Sequence, residues 1–237
     1  MSQIVIFGGT AEGRQAADAL KGAGQDVLVC VTSAYARSLL PEDMPCHVGA
    51  MDEAAMEAFL KEVGSERVID ATHPYAVRAT ENIRSACRGL DIPYERMERP
   101  ISLGGWRQDV EHVPSPHEAA MALTRAKGNI LLTTGSKTVK EYTALVEPDR
   151  LWVRVLPTHE ALSLCREAGV ESAHVIAMQG PFTRDLNAAM YDMLDIRVMV
   201  TKDSGKQGGV EEKVIPALER DIHVILIDRP GEVSYAG

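Results

Sequence analysis

The chain has 237 residues, 45% of them hydrophobic, which is enough apolar material to build two modest domains. Acidic residues outnumber basic ones by 34 to 25, and the formal net charge of −9 argues against non-specific binding of nucleic acid or of an anionic membrane by the whole surface. No apolar run approaches the roughly 20 residues of a membrane span, and the four dispersed cysteines predict reduced thiols in a cytoplasmic protein without a metal site.

Strand and helix patterns alternate along the chain, which predicts an α/β fold with mainly parallel sheets. In the first half, strands are predicted at 3–7, 26–31, 46–48, 67–70 and 93–96, and helices at 12–23, 53–63 and 75–90. In the second half, strands are predicted at 129–133, 151–155, 173–177, 196–200 and 223–227, and helices at 116–126, 158–168, 183–193 and 210–220. The proline- and glycine-rich stretch 99–116 is predicted to carry the crossover between two domains, 1–100 and 101–237.

Polar loops follow five of the predicted strands. They are GGTAEGR (8–14), DATHPYA (70–76), TTGSK (133–137), MQGPF (178–182) and TKDSGKQGG (201–209). Open α/β sheets bind ligands outside the carboxyl ends of their parallel strands, so these loops are expected to line one cleft. The chain is therefore predicted to be an enzyme.

The first loop has the features of a dinucleotide-binding turn. Gly8, Gly9, Thr10 and Gly13 open the first predicted helix, and glycines there let backbone N–H groups approach a phosphate that the helix N-terminus also attracts. Thr10 stands where the usual second glycine would be, and its hydroxyl could itself bond a phosphate oxygen. The alternative is a tight strand-to-helix turn without a ligand.

The end of the second strand favours NADPH over NADH. It lacks the Asp or Glu that holds a ribose 2′-hydroxyl in NAD enzymes, and Thr32, Ser33 and Arg37 stand there instead. Hydroxyls and an arginine suit a 2′-phosphate. Arg37 is equally compatible with a solvated position on the following helix.

The loop DATHPYA places His73 directly after a predicted strand, with Pro74 near the next helix start. Histidine changes charge near neutral pH, so His73 is a candidate for proton donation or for a hydrogen bond to the ligand. A structural tie within the loop is the alternative. The other histidines show no spacing typical of a metal site.

Cationic side chains recur in the loops of the second half. TTGSK and TKDSGKQGG combine hydroxyls, glycine and lysine in a form that suits carboxylate or phosphate, although neither is a P-loop. The predicted patch comprises Lys137, Lys202, Lys206, Lys213 and Arg184. We expect it to bind a polyanion, and ordinary solvated loop lysines are the alternative.

Eight motifs in order resemble one known family nearly end to end. They are GGTAEGR, DATHPYA, ENIRSAC, IPYERMERP, TTGSK, RVLPT, MQGPF and KDSGKQGGVEEK. The resemblance is to the precorrin-6A reductase family of cobalamin biosynthesis, which includes cobalt-precorrin-6A reductases. It implies two Rossmann-like domains around a cleft, and hydride transfer from NADPH to a macrocyclic double bond of precorrin-6A, giving precorrin-6B.

The resemblance also implies roles for individual residues. Cofactor binding falls to Gly8, Gly9, Thr10, Glu12 and Gly13, joined by Gly135, Ser136 and Lys137 and by the residues after the second strand. His73 and Lys202 are the catalytic candidates. The polycarboxylate macrocycle is expected to contact Thr72, Tyr75, Gln179, Arg184, Lys202, Ser204, Lys206 and Lys213.

Three alternatives stay open from the sequence. One is an NADH-dependent reductase of the cobalt-containing intermediate, whose metal the macrocycle itself would chelate. Another is a non-catalytic nucleotide- or tetrapyrrole-binding protein, because this fold hosts both kinds of function. The third, a sugar-nucleotide or methyl transferase, is weakened because no further cofactor motif appears.

Overall fold

The computed structural model describes residues 3–97, 104–205 and 208–230. The chain divides into two compact units, Met1–Arg99 and Pro100–Gly237. They are called the first and second unit below. Lys206, one of the predicted substrate ligands, lies outside the described residues.

The first unit is a parallel five-stranded sheet in the order β3-β2-β1-β4-β5. Its strands are β1 (Gln3–Gly8), β2 (Asp26–Val31), β3 (Cys46–Val48), β4 (Ser65–Ala71) and β5 (Tyr94–Arg96). Its helices are α1 (Ala11–Gly22), α2 (Ala34–Ser38), α3 (Glu53–Glu62) and α4 (Val77–Gly89). The strand order and the parallel pairing are those of a dinucleotide-binding half.

β1 forms the centre of this sheet because its side chains are apolar on both faces. Ile4 and Ile6 pack with the apolar residues of β2 on one face, whereas Val5 and Phe7 pack with Ile83 of α4 on the other. A strand buried on both faces is a near-continuous apolar run, which is why it could be predicted from the sequence. Because both faces of β1 are packed, the carboxyl end of this strand has a defined position within the first unit.

The second unit is a parallel six-stranded sheet in the order β6-β11-β10-β7-β8-β9. Its strands are β6 (Glu111–Val113), β7 (Asn129–Leu132), β8 (Leu151–Val155), β9 (Val175–Ala177), β10 (Ile196–Lys202) and β11 (His223–Ile227). Its helices are α5 (Pro116–Leu123), α6 (Val139–Thr143), α7 (His159–Glu167), α8 (Arg184–Met193) and α9 (Val210–Leu218). Leu131 and Met199 pack on one face against Tyr191 of α8 and Val214 of α9.

The predicted α/β class with parallel sheets is confirmed, and each predicted strand is present. Among the strands and α-helices of the described residues, three short ones were not predicted: β6, inside the stretch expected to be irregular, and the five-residue helices α2 and α6. The helix expected from residue 75 begins at Val77. The strand expected from residue 173 begins at Val175, because Ser172–His174 form a 3-10 turn. All four cysteines are free thiols, and Cys46 is only half-buried.

Each sheet has one point where successive connections leave in opposite directions. In the first unit this switch point lies between β1 and β4, and in the second between β7 and β10. The outermost strands, β3, β5, β6 and β9, have three residues each. Among the described residues, none of the helices combines the length and the hydropathy that crossing a membrane requires.

Candidate functional site

Thr10 joins the two loops that flank the switch point of the first unit. Its hydroxyl caps α1 by accepting from the Gly13 N–H at 3.1 Å, and it donates to the Ala71 carbonyl at the end of β4 at 3.0 Å. The proton of the hydroxyl is therefore directed at Ala71. A phosphate contact through this hydroxyl stays a prediction, and it would compete with that bond.

The glycines of the same loop serve different purposes. A Cβ added to Gly13 would lie 3.0 Å from the Cβ of Ala71, so this glycine permits α1 to pack closely on β4. A Cβ added to Gly9 would come within 4 Å of one atom among the described residues, the Cβ of Ala36 at 4.0 Å. Gly9 thus leaves an open cradle before the N-terminus of α1, which fits a phosphate group. Glu12 lies in the first turn of α1, where a carboxylate also favours the helix dipole.

The residues after β2 form a local hydrogen-bonded turn. Thr32 is exposed, and the Ser33 hydroxyl caps α2 by accepting from the Ala36 N–H at 3.2 Å. Arg37 donates to the carbonyls of Pro41 at 3.1 Å and Glu42 at 3.0 Å. A guanidinium has five N–H donors, so these two bonds leave Arg37 capacity for a phosphate.

Asp70 is a fully buried carboxylate near the end of β4. It pairs with Arg96 at 2.5 Å, accepts from the Tyr94 hydroxyl at 3.0 Å, and accepts from the backbone N–H and the hydroxyl of Thr72. Arg96 in turn donates to the Thr72 hydroxyl at 2.7 Å. The carboxylate therefore fixes the start of the loop that carries His73.

His73 and Tyr75 lie together in that loop, and both are half-buried. Their ring centroids are 5.5 Å apart, and His73 Nδ1 accepts a long bond of 3.4 Å from the Tyr75 N–H. A ring nitrogen that accepts carries no proton, so the neutral imidazole has its proton on Nε2. This arrangement suits donation of a hydrogen bond from Nε2.

Lys202 spans the switch point of the second unit. Its ammonium donates to the Thr134 carbonyl after β7 at 2.9 Å, and burial lowers the pKa of Lys202 although Glu141 opposes the shift. In the next loop, the Ser204 hydroxyl donates to the Gly208 carbonyl at 3.1 Å. The predicted site residue Lys202 is thus brought to the TTGSK loop, in which Gly135 has a φ of 86°. Ser136 and Lys137 open the short 3-10 helix that follows.

Asp203 is a buried carboxylate that was not predicted as a site residue. Its side chain is fully buried and pairs with Arg107 at 2.6 Å and with Arg229 at 3.7 Å. It also accepts from the Gly205 N–H at 3.2 Å. These bonds hold the backbone between Lys202 and Ser204, so Asp203 positions both predicted site residues.

The other predicted substrate ligands are more scattered. Arg184 is exposed and forms an ion pair with Glu219, and Gln179 is exposed after β9. Lys213 is buried in the first turn of α9, and its pKa is lowered to about 7, mainly by burial. Within the described ranges, no group of three histidine, cysteine or acidic side chains could hold a metal ion.

Two parallel sheets with polar loops at their switch points define an open α/β protein of the ligand-binding class. Residues 3–236 match the family model "Precorrin-6x reductase CbiJ/CobK". The chain belongs to this family. It is therefore an oxidoreductase of cobalamin biosynthesis that uses a nicotinamide cofactor, and the family predicted from the eight motifs is confirmed.

Individual relatives agree with the family over almost the whole chain. A cobalt-precorrin-6A reductase of Priestia megaterium is 36% identical over 236 residues, covering 98% of this chain and 92% of the relative. A precorrin-6A reductase of Rhodobacter capsulatus is 28% identical, covering 97% and 89%. The solved structure "CobK precorrin-6A reductase" superposes with a TM-score of 0.81 at 26% identity, covering 99% of this chain and 91% of that one.

Proposed function

We propose that this chain reduces one double bond of the precorrin-6A macrocycle with NADPH, which gives precorrin-6B. The observation that carries the choice of cofactor is the open cradle at Gly9, combined with a β2 that leads into Thr32 and Ser33 rather than an acidic residue. A 2′-phosphate has no carboxylate to repel it there, and Arg37 supplies a cation about one helical turn after Ser33.

The first unit supplies the cofactor site in this proposal. The N-terminus of α1 and the backbone of Gly9 hold the pyrophosphate, while Ser33 and Arg37 hold the 2′-phosphate. A reduced nicotinamide supplies a hydride when it is bound. The side chains of the protein then have to align the macrocycle, exclude water and provide one proton to balance the hydride.

Two side chains are candidates for that proton. His73 can give up its Nε2 proton from the imidazolium form, in which Nδ1 also carries a proton and no longer accepts from the Tyr75 N–H, and Lys202 has an ammonium whose pKa is lowered by burial. His73 follows the carboxyl end of the central strand β4, and Lys202 is the last residue of the central strand β10. We propose His73 as the donor and Lys202 as the contact for a substrate carboxylate, because an ammonium held by the Thr134 carbonyl is already oriented.

The cobalt-containing macrocycle is the second candidate substrate. It is favoured by the names of relatives, since the Priestia megaterium protein at 36% identity is a cobalt-precorrin-6A reductase and the Rhodobacter capsulatus protein at 28% is a precorrin-6A reductase. The macrocycle would chelate the cobalt itself, so both substrates make the same demand on the protein for carboxylate contacts.

The proposed function is tested by following the loss of the reduced-nicotinamide absorbance near ~340 nm. Purified protein is mixed with NADPH or NADH and with precorrin-6A or its cobalt form, in four combinations. We expect oxidation that depends on the macrocycle and a higher kcat/KM for NADPH. Equal kcat/KM values for the two cofactors would contradict the cofactor assignment, and no oxidation in any combination would favour a binding protein.

Replacing Lys202 with Ala is expected to weaken binding of the macrocycle more than binding of the cofactor. The substitution removes a cation from the carboxyl end of β10, and a charge-assisted bond to a carboxylate corresponds to about a tenfold change in affinity. The measurement is KM for the macrocycle beside the Kd of NADPH in the same variant. Lys140→Ala, an exposed lysine of α6, is the matched control. A larger loss for NADPH would assign the loop to the cofactor.

A further inference from the structure

Arg154 of β8 is a buried cation whose contacts are all uncharged. The residue is 6% exposed, and its NH1 donates to Oδ1 of Asn187 at 2.7 Å and contacts Met190 Sδ at 3.9 Å. The ring of Phe182 lies over the guanidinium, with its centroid 4.0 Å from Cζ. No carboxylate within the described part of the chain pairs with it. An arginine stays charged when buried, and a buried charge is costly unless an opposite charge meets it.

Lys213 is a second buried cation close enough to Arg154 to be repelled by it. The residue is 8% exposed, and its amine makes no hydrogen bond or ion pair to any residue that the structure describes. Burial is the first cause of its pKa of about 7, and the charge of Arg154 is the second. The charges of Glu212 and Asp203 raise the pKa of Lys213, but they do not offset the lowering by burial and by Arg154. Neither carboxylate forms an ion pair with Lys213 or Arg154 in the described part of the chain, so the two mutually repelling cations have no directly bonded counter-charge.

The backbone around these cations is held rigidly by α8. The Asn187 amide donates to the carbonyls of Thr183 at 3.0 Å and Glu212 at 2.9 Å, while its oxygen accepts from Arg154. The buried Tyr191 hydroxyl donates to the Lys213 carbonyl at 2.9 Å. These bonds tie the first turn of α9 to α8, so the two cations cannot easily separate. The arrangement is pre-organised for an anion.

We propose that Arg154 and Lys213 together bind one carboxylate of the macrocyclic substrate at the N-terminal turns of α8 and α9. The inference rests on the proposed function, since it is the macrocycle that supplies the carboxylates. The anion accepts from the guanidinium N–H groups that Asn187 leaves unused and from the Lys213 amine. A cofactor phosphate has similar chemistry, and the experiment below separates the two sources.

Binding of this carboxylate is linked to a proton. Above a pH of about 7 the free Lys213 amine is mostly neutral, and a carboxylate beside it raises its pKa again, so that one proton is taken up. The other titratable groups facing Lys213 are Glu212, Asp203 and Tyr191. Burial raises the pKa of Tyr191, which therefore stays neutral, and Asp203 is already paired with arginines. Lys213 is thus the group that takes up the proton.

The test compares the wild type with Lys213→Met, Arg154→Met and Lys213→Arg, and with the exposed control Arg197→Met. Binding of the macrocycle is measured by calorimetry near about pH 8 in two buffers of different ionisation enthalpy, which gives the number of protons taken up. The Kd of NADPH is measured on the same preparations. Turnover of the wild type with NADPH and macrocycle is measured separately. An absence of turnover in the wild type would contradict the reductase function, whereas the binding measurements on the variants test the carboxylate site.

We expect the wild type to take up nearly one proton, and both Met variants to lose at least about tenfold in macrocycle affinity with unchanged NADPH affinity. Lys213→Arg should keep the affinity but take up no proton, because an arginine is already charged. Arg197→Met should match the wild type. Unchanged macrocycle affinity in the Met variants, proton uptake that persists in Lys213→Arg, or a loss confined to NADPH would each overturn the proposal.

Discussion

Gly9→Leu is expected to raise the Kd of NADPH by about 100-fold or more while leaving the protein folded. A Cβ at Gly9 would lie in open space within the described structure, 4.0 Å from its single neighbour, the Cβ of Ala36. The unliganded turn can therefore accept the side chain. A phosphate cannot share the same space with a side chain, because it can approach the backbone N–H groups only where no Cβ is present.

The measurement is a fluorescence titration with NADPH, beside thermal unfolding of the same variant. Gly22→Ala is the control, because a Cβ there meets no atom within 4 Å among the described residues and the position lies at the far end of α1. Gly13→Leu should give the opposite pattern, with loss of stability, since its Cβ would lie 3.0 Å from Ala71. Unchanged NADPH affinity in folded Gly9→Leu would remove the first loop from the cofactor site.

Asp203→Ala is expected to destabilise the second unit by about 3–5 kcal/mol, because it removes a fully buried carboxylate that pairs with two largely buried guanidinium groups. The side chains of Arg107 and Arg229 are 15% and 7% exposed, so water cannot replace the lost partner well. The loss corresponds to a fall of roughly 10–17 °C in the Tm of a unit of this size. Macrocycle turnover should also fall, since Asp203 fixes the backbone between Lys202 and Ser204.

Denaturant unfolding monitored by circular dichroism measures this loss. The matched control is Glu167→Ala, whose carboxylate lies 3.6 Å from Lys140 with both side chains more than half exposed. An exposed pair of this kind contributes less than about 1 kcal/mol. Equal destabilisation in the two variants would show that the buried ion pairs of Asp203 add nothing beyond a surface pair.

The sequence was most informative where a strand is buried on both faces. β1, β2, β7 and β10 are apolar runs that end in glycine, hydroxyl or charged residues, so their bounds were predicted to within a few residues. β6 was missed because Glu111–Val113 has no apolar run, and within the described residues its one sheet partner is β11. The five-residue helices α2 and α6 are too short to show a helical period.

The buried charges were harder to find than the loops. Asp70 and Arg96 are 26 positions apart in the chain, and Asp203 and Arg107 are 96 apart, so their pairing depends on how the strands are ordered in the sheet. Arg154 is the first residue of the motif RVLPT, but it was not predicted as a site residue. The available signal was a charged residue inside LWVRV, a strand whose neighbours cover both of its faces.

The roles of the predicted site residues stay predictions, but the structure constrains several of them. Thr10 and Thr72 already use their hydroxyls to connect loops, and Arg184 already has Glu219 as a partner. Lys202 and Ser204 lie where the strand order of the second unit reverses. Local patterns could identify which loops are polar, whereas the partners of each side chain required the three-dimensional arrangement.

The three-residue strands at the borders of both sheets have a consequence for how the protein behaves at high concentration. An unpaired border strand can recruit a border strand from another molecule, and the attraction grows with the number of peptide groups that it presents. β3, β5, β6 and β9 each present only a few such groups, whereas the long strands β1, β4 and β10 are enclosed by neighbours on both sides. Growth of intermolecular sheets from the native state is therefore disfavoured, which is useful for an enzyme that must remain dispersed while it handles a large, flat macrocycle.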